Sequence, residues 1–200
     1  MIKVAITGTM GSGKSFCSKQ FEKLGVPVFN SDEENRRMQC TNQELKAQIV
    51  AGFGSACLVD GRLDSVVIRK LIFGDGLEQQ ENLKKITNIS KPYVISAFQS
   101  FCESHSDALY VLAESAILFE AGLDSIFDSI IYVVADEKLR IAATLLRDGI
   151  SEEEYHQRMR NQMSDEFKRS KSTYIISNDY TQAVIEQIKI IDNKIKNVRS

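Results

Sequence analysis

Short apolar runs alternate with longer amphipathic stretches along the chain. The runs rich in Val and Ile predict strands at about residues 2–7, 26–30, 109–115, 129–135 and 173–177. The stretches between them predict helices from Lys14 to near Gly25, from Thr41 to Phe53, and over about 64–73, 77–104, 137–147 and 181–195. Strands that alternate with helices are typical of a parallel sheet covered by helices, so we predict an α/β fold.

Two capping-box sequences mark helix starts within this pattern. Thr41 is followed three residues later by Glu44, and Ser151 is followed by Glu154. The second box opens a polar helix rich in Arg and Lys. No repeat, low-complexity tract or linker interrupts the chain, so a single domain is expected.

Composition narrows the class of protein. The 200 residues are 43% hydrophobic and 26% charged, which is enough to bury a core. A net charge of −2 argues against a protein that grips nucleic acid or an acidic membrane. No apolar run has the length of a membrane span, no signal-peptide pattern opens the sequence, and the four cysteines are scattered. We therefore expect a cytoplasmic protein with reduced thiols.

The sequence GTMGSGKS at 8–15 follows the first predicted strand and opens the first predicted helix. It fits the phosphate-binding pattern G-x-x-x-x-G-K-[ST] at each fixed position. The glycines let the backbone N–H groups point at phosphate oxygens, and the helix adds its positive N-terminal end. Lys14 is expected to reach the β- and γ-phosphates, and the Ser15 hydroxyl is expected to bind Mg²⁺. The predicted nucleotide contacts are Gly8, Gly11, Ser12, Gly13, Lys14, Ser15 and Phe16. The alternative is a glycine-rich turn without a ligand.

The rest of the sequence argues against a switch GTPase. Such a protein needs a D-x-x-G motif and an N-K-x-D motif for guanine. D-x-x-G is absent from the sequence, and its Asn-Lys pair, at 193–196, lacks the Asp. The loop is therefore expected to serve a different nucleotide enzyme.

Two residues after the second predicted strand are candidates for the phosphoryl acceptor side. Ligands of open parallel sheets collect at the carboxyl ends of strands, and we predict that strand 26–30 neighbours the first strand. Asp32 would then face the γ-phosphate, where a carboxylate can take the proton of an attacking hydroxyl. Arg36 lies one helical turn later and could hold an anionic part of the acceptor. The alternative is an N-cap Asp followed by a solvated helix.

Glu114 ends the third predicted strand. An unpaired carboxylate in a buried strand is costly, so an acid at this position suggests a role. We predict that Glu114 helps to hold Mg²⁺ through water and contributes to the substrate site.

A basic segment follows the helix predicted at 137–147. Its cations are Arg147, Arg158, Arg160, Lys168, Arg169 and Lys171. Such a stretch is either a solvated face or, in a nucleotide kinase, a lid that excludes water and adds cations to the transferring phosphoryl group. The loop at 8–15 favours the lid, with Arg147 as a catalytic cation.

Further short motifs follow the loop in order. They are Asn30-Ser31-Asp32 with Arg36, Phe53-Gly54, Asp60-Gly61, Leu63-Asp64, Phe73, Ala116-Ile117-Leu118-Phe119-Glu120, Arg147-Asp148-Gly149 with Arg158 and Gln162, and Ile176 with Asn178. Each is short, but their order and spacing together resemble the dephospho-CoA kinase family nearly end to end.

The resemblance implies a P-loop nucleotide-kinase-like core of parallel strands, with a helical acceptor-binding insertion and a lid. It divides the single domain 1–200 into a core at about 1–40, 105–148 and 172–200, an acceptor region at about 41–104 and a lid at about 149–171. The implied reaction moves the ATP γ-phosphoryl group to the ribose 3′-hydroxyl of dephospho-CoA, the last step of coenzyme A synthesis. Lys14 and Ser15 would handle ATP and Mg²⁺, and Asp32 would be the base. No nucleic acid or membrane partner is implied, and we expect a monomer or a weak homo-oligomer.

Three positions depart from the family pattern. Asn30 replaces the first Asp of the D-A-D motif, Lys91 replaces a His before Pro92, and Ala143 replaces an Arg one turn before Arg147. Residues 140, 143 and 147 share one helical face. We hypothesise that Arg140 reaches into part of the space left at Ala143; the alternative is a solvated surface residue.

Two other functions remain open at this level. One is a P-loop kinase of another nucleoside- or sugar-type hydroxyl, and the other is a nucleotide-binding regulatory protein with low turnover.

Overall fold

A computed structural model of the protein describes residues 1–74, 76–179 and 183–199. Its strands are β1 (Ile2–Gly8), β2 (Val28–Asn30), β3 (Leu58–Val59), β4 (Arg62–Leu63), β5 (Tyr110–Glu114), β6 (Ser129–Val134) and β7 (Tyr174–Ser177). Its α-helices are α1 (Lys14–Lys23), α2 (Ser31–Thr41), α3 (Gln43–Phe53), α4 (Ser65–Ile72), α5 (Leu77–Ser104), α6 (Glu137–Asp148), α7 (Glu152–Met159), α8 (Asp165–Lys171) and α9 (Val184–Lys196). The predicted strands and helices are present, although residues 181 and 182 of the last predicted helix lie outside the described part.

The chain divides into two compact units. The first comprises Met1–Asn30 and Phe101–Ser200, and the second comprises Ser31–Ser100. The first unit holds a parallel sheet in the order β2-β5-β1-β6-β7. The α/β prediction is therefore confirmed.

The prediction that the strand at 26–30 neighbours the first strand is wrong. Strand β2 pairs with β5, and β5 lies between β2 and β1. The burial of the two strands explains this order, because all five residues of β5 are buried, whereas β2 has three residues of which only Phe29 is buried. A short, half-buried strand suits the edge of a sheet, and a fully buried one suits its middle.

One face of this sheet carries the main core. Ile2, Val4 and Ile6 alternate along β1 and therefore point to the same face. They pack with Cys17 and Phe21 of α1, and the apolar side of α9 completes the cluster with Ile188, Ile191 and Ile195. This packing holds the first turn of α1, and the glycine-rich loop before it, against the carboxyl end of β1.

The second unit contains α2, α3, α4, most of α5 and a small hairpin of β3 and β4. The hairpin was not predicted. Its turn has Asp60 at φ 50° and Gly61 at φ 73°, the left-handed geometry that an Asp-Gly pair adopts in tight hairpins. The Asp-Gly pair was the available signal for it.

One helix start and the continuity of one helix differ from the sequence prediction. Asn42, and not Thr41, caps α3, because its Oδ1 accepts from Leu45 N while the Thr41 hydroxyl donates to Arg37 O within α2. The polar helix after Ser151 is interrupted, so that α7 ends at Met159 and α8 begins at Asp165. The capping box of Ser151 and Glu154 is confirmed.

Within the residues that the structure describes, no helix is long and apolar enough to cross a membrane.

A buried hydrogen bond to a carboxylate joins β5 to α9. The Tyr110 hydroxyl donates to Asp192 Oδ1 at 2.7 Å, and Lys196 Nζ lies 2.7 Å from Asp192 Oδ2. Both Tyr110 and Asp192 are buried. Tyr155 is a second buried tyrosine, but its hydroxyl has no hydrogen-bond partner among the described residues.

These two tyrosines form a matched pair for measuring the contact. We expect Tyr110→Phe to lower the free energy of unfolding by about 1–3 kcal/mol, because a buried carboxylate loses a donor. Tyr155→Phe removes an unpartnered hydroxyl and should stay within about 0.5 kcal/mol of wild type. Urea unfolding of both variants measures the difference, and equal losses in the two would contradict the assignment.

Candidate active site

The glycine-rich loop joins β1 to α1 by a tight turn. Gly8 is the last residue of β1 and Lys14 is the first residue of α1. Inside the turn, Ser12 N donates to Thr9 O at 3.0 Å, and Gly13 precedes the helix in the left-handed region at φ 84°. The N–H groups at the start of α1 need no helical partner, so the loop and the helix together present donors suited to an anion.

Two glycines of the loop are required by close neighbours. A Cβ at Gly11, where φ is 83°, would overlap the carbonyl oxygen of Arg140 in α6. A Cβ at Gly13 would overlap Nδ2 of Asn178, which follows β7 and donates to Ser12 O at 2.9 Å. The loop thus packs against α6 and against the residue that follows β7.

Lys14, Ser15 and Glu114, which were predicted separately, lie together. Lys14 Nζ and Ser15 Oγ both donate to Oε1 of Glu114, at 2.5 Å and 2.6 Å. The side chains of Lys14 and Glu114 are 12% and 5% exposed. The register between β1 and β5 explains why these residues lie together, because Glu114 pairs with Ile6, two residues before the loop begins.

The carboxylate of Glu114 is held in its charged form. Burial raises the pKa of Glu114, but the positive charge of Lys14 and the hydrogen bonds donated to the carboxylate outweigh burial. Its pKa therefore lies below the ordinary value for a glutamate. Cys17, one turn into α1, behaves in the opposite way: burial, together with the charge of Glu114, raises its pKa to about 12. Cys17 is therefore a neutral core thiol.

The donor atoms at this point suit a hard divalent cation. Ser15 and Glu114 offer oxygen atoms, the ligand type that Mg²⁺ prefers, and Mg²⁺ commonly keeps several waters alongside one or two protein ligands. The Ser15 hydroxyl donates a hydrogen bond to Glu114, which leaves the lone pairs of the Ser15 oxygen available to a cation. In the described part of the chain, three or more His, Cys, Asp or Glu residues do not cluster as they would in an all-protein metal site.

Asp32 and Arg36, the predicted acceptor-side residues, belong to the second unit. Asp32 is half-buried in the first turn of α2, so it is not the N-cap of a helix. Arg36 is exposed one turn later, and its Nε donates to the carbonyl oxygen of Asp32 at 3.2 Å. The predicted spacing of one helical turn is confirmed. Phe16, a predicted nucleotide contact, lies in the first turn of α1 and is 47% exposed.

The arginines of α6 differ in their surroundings. Arg147 is mostly exposed, and its Nε and Nη2 donate to the carboxylate of the adjacent Asp148 at 2.7 Å and 2.9 Å. Asp148 thereby raises the pKa of Arg147. Arg140 is buried, so the alternative of a solvated surface residue is wrong. Its Nη2 lies 3.1 Å from Asp165 Oδ2.

Gln162, between α7 and α8, and Asp165, the first residue of α8, contact the loop in a way that the sequence did not reveal. Asp165 Oδ1 accepts from the Thr9 hydroxyl at 2.5 Å and from the Tyr132 hydroxyl at 2.7 Å. Gln162 Oε1 accepts from Met10 N at 3.2 Å. Gln162 belonged to a recognisable motif, but Asp165 looked like an ordinary acid in the first turn of a helix.

Comparison with known proteins agrees with this geometry. A sequence model of the dephospho-CoA kinase family matches residues 2–183. A dephospho-CoA kinase from Bacteroides fragilis is 35% identical over 188 residues, which cover 94% of this chain and 89% of that protein.

Two solved structures are also similar. The crystal structure of TT1252 from Thermus thermophilus is 28% identical, with a TM-score of 0.82 over 96% of this chain and 97% of that one. A dephospho-CoA kinase from Campylobacter jejuni, 19% identical, shares the fold with a TM-score of 0.68 over 99% of this chain and 98% of its own. The expected resemblance is confirmed, and the chain belongs to the dephospho-CoA kinase family.

Proposed function

We propose that this protein transfers the γ-phosphoryl group of ATP to the ribose 3′-hydroxyl of dephospho-CoA, giving coenzyme A and ADP. The observation that carries the proposal is the meeting of Lys14, Ser15 and Glu114 behind a glycine-rich loop, in a chain that matches the family over residues 2–183. A cation and a hydroxyl at the N-terminus of α1 suit the polyphosphate of a nucleotide.

The loop supplies the nucleotide side of the site. The proposed ATP contacts are Gly8, Gly11, Ser12, Gly13, Lys14, Ser15 and Phe16. Lys14 is held at Glu114 before ATP arrives, so its charge is already placed at the loop and little reorganisation is needed. As ATP binds, Lys14 turns from Glu114 toward the phosphate oxygens. Its positive charge there stabilises the negative charge that develops on the leaving group.

Mg²⁺ is the proposed metal cofactor. Ser15 would hold it directly and Glu114 through water, and when bound it neutralises charge on the phosphates. The low pKa of Glu114 keeps the carboxylate charged at neutral pH for this purpose.

The acceptor side is proposed to rest on α2. Asp32 follows Asn30, the last residue of β2, by two positions, and Asn30 pairs with Glu114 in the sheet. The Asp32 carboxylate would orient the acceptor hydroxyl and take its proton. Arg36 would bind an anionic group of dephospho-CoA, since its guanidinium is exposed.

Arg147 and the segment 149–171 are proposed as the lid. Arg147 makes a bidentate ion pair with Asp148, so it would exchange this carboxylate for phosphate oxygens on closure. The segment 41–104 is the proposed acceptor region, and the rest of the chain 1–200 is the core of one kinase domain.

The setting follows from the substrates. ATP and dephospho-CoA are small molecules, so no nucleic acid or membrane partner is proposed. Free cysteines suit the reducing cytoplasm, where we place the reaction, and we propose a monomer or a weak homo-oligomer.

An ADP-release assay tests the reaction. ADP formation that requires both ATP and dephospho-CoA, with the product identified by mass as coenzyme A, is the expected result. Turnover with another nucleoside or sugar hydroxyl, and none with dephospho-CoA, would overturn the acceptor assignment. Tight ATP binding without turnover on any acceptor would indicate a regulatory protein instead.

Lys14→Met is the first variant to test. We expect kcat to fall on the order of a hundredfold or more, because the transition state loses a preorganised positive charge. Lys23→Met, at the exposed end of α1, is the matched control and should keep wild-type kcat. Steady-state ADP release at saturating substrates measures both, and a Lys14→Met enzyme with wild-type kcat would contradict the role.

We expect Lys14→Met also to lower the stability of the fold, by an amount that depends on pH. The folded-state pKa of Glu114 is depressed, so its contribution to stability is present at neutral pH and is lost as the pH falls through that pKa. Without Lys14, burial raises the pKa of Glu114 and penalises the charged form. The difference in unfolding free energy between wild type and Lys14→Met should therefore be largest near pH 7 and narrow toward about pH 4. Urea unfolding across this range checks it, and a constant difference would argue against the pairing.

Asp32→Asn tests the proposed base. We expect kcat to fall about 10²–10⁴-fold with little change in the KM for ATP, because the amide is a poor proton acceptor while the loop is unaltered. Glu33→Gln removes the same charge from the neighbouring exposed position and should leave kcat near wild type. If Asp32→Asn instead weakens ATP binding at unchanged kcat, Asp32 serves the metal or the helix and not the acceptor proton.

A further inference from the structure

The first half of the phosphate loop is held by Gln162, between α7 and α8, and by Asp165, the first residue of α8. The Thr9 hydroxyl donates to Asp165 Oδ1 at 2.5 Å, and Met10 N donates to Gln162 Oε1 at 3.2 Å. These two contacts fix successive loop residues, and they connect positions more than 150 residues apart in the chain. The second half of the loop is held separately, by the donation from Asn178 to Ser12 O.

Asp165 acts as a carboxylate in this network. Three oxygen atoms meet, namely Thr9 Oγ1, Tyr132 Oη and Asp165 Oδ1, at separations of 3.0, 2.7 and 2.5 Å. Each hydroxyl has one proton to donate, and Asp165 Oδ1 lies within hydrogen-bond distance of both, so a carboxylate at this position accepts from each. Burial raises the pKa of Asp165, but these two hydrogen bonds and nearby positive charge bring it below the usual value for an aspartate.

Arg140 keeps the Asp165 carboxylate in place. Its side chain is 7% exposed and its Nη2 lies 3.1 Å from Asp165 Oδ2, on the side of the carboxylate away from Thr9. Arg140 Nε and Nη1 have no partner within the described residues, so Asp165 is the anion that this buried guanidinium contacts. A buried cation is costly without its anion, which restricts the positions that Asp165 can adopt.

We propose that Asp165 is a positioning residue for phosphoryl transfer, which acts through the Thr9 hydroxyl to hold the first half of the phosphate loop in its working geometry. The inference rests on the proposed function, because it assigns a role within the same site. Loop N–H groups stabilise a transferring phosphoryl group only when they are aligned beforehand, and a displacement of about 1 Å can cost on the order of a hundredfold in rate.

The Thr9 hydroxyl separates this role from general stabilisation better than Asp165 does. Asp165 is the anion of the buried Arg140 guanidinium, so its removal would also destabilise the fold. Thr9 is 2% exposed, so solvent has little access to its hydroxyl to take the place of Asp165. Removing that hydroxyl should therefore release the loop while leaving the core intact.

Three substitutions of buried threonines separate positioning from packing. Thr9→Val removes the hydroxyl and retains the branched shape, and Thr9→Ser retains the hydroxyl. Thr7→Val is the matched control, since Thr7 is fully buried in β1 and its hydroxyl has no partner in the described part of the chain. Thermal unfolding of each variant verifies that the fold is retained.

We expect Thr9→Val to lower kcat/KM for ATP at least tenfold, with the KM for dephospho-CoA within twofold of wild type. Thr9→Ser and Thr7→Val should both stay within twofold of wild type. A Thr9→Val enzyme that matches Thr7→Val overturns the proposal. So does equal loss in Thr9→Val and Thr9→Ser, because the methyl group and not the hydroxyl would then matter.

A double-mutant cycle shows whether the hydroxyl acts through Asp165. If it does, Thr9→Val added to Asp165→Ala should cost less than threefold further, whereas multiplied losses would overturn the connection. Should Asp165→Ala fail to fold, the threonine series decides alone.

Affinity for a non-hydrolysable ATP analogue is measured in parallel, without acceptor. A wild-type protein that binds this analogue and ignores dephospho-CoA refutes the proposed function. Even in that case the positioning role can be tested by binding. It is refuted if the Thr9→Val protein binds the analogue as tightly as the Thr7→Val protein does.

Discussion

One oxygen atom, Oε1 of Glu114, accepts hydrogen bonds from two successive residues at the start of α1. A carboxylate buried at the end of a strand is strongly destabilising without such partners, and Lys14 and Ser15 are the groups that satisfy it. The contact therefore fixes the end of β5 relative to the start of α1 before any nucleotide is present. The ion pair that permits the burial of Glu114 also holds the Lys14 cation beside the glycine-rich loop.

The glycine-rich loop depends on partners that come from four separate parts of the chain. Gly11 lies against the backbone of α6, and Gly13 lies against Asn178 after β7. Thr9 and Met10 contact the start of α8 and the residues just before it. Glu114 supplies the fourth contact. A loop that must present unpaired N–H groups cannot satisfy itself internally, so its shape is imposed by its surroundings.

Local features of the site could be predicted from the sequence. The fixed spacing of Gly8, Gly13, Lys14 and Ser15 is a property of one contiguous segment, and the strand pattern alone placed Glu114 at the end of a buried strand. The order of β2 and β5 could not be predicted in the same way, since it depends on how two distant strands compete for the middle of the sheet. Asp165 escaped notice for a similar reason, because its partners Thr9 and Tyr132 are close only in the folded chain.

The position of β5 in the sheet also constrains the order in which the protein can form. β1 pairs on one side with β5 and on the other with β6, so Ile2 must wait for Tyr110, and Val4 for Ser129, before either edge of the strand is satisfied. Pairings of such high contact order are slow to form because a long loop must close first. During synthesis, β1 therefore leaves the ribosome before either of its neighbours in the sheet has been made. The segment Ser31–Ser100, whose contacts are largely its own, can become ordered in the nascent chain while β1 is still unpaired.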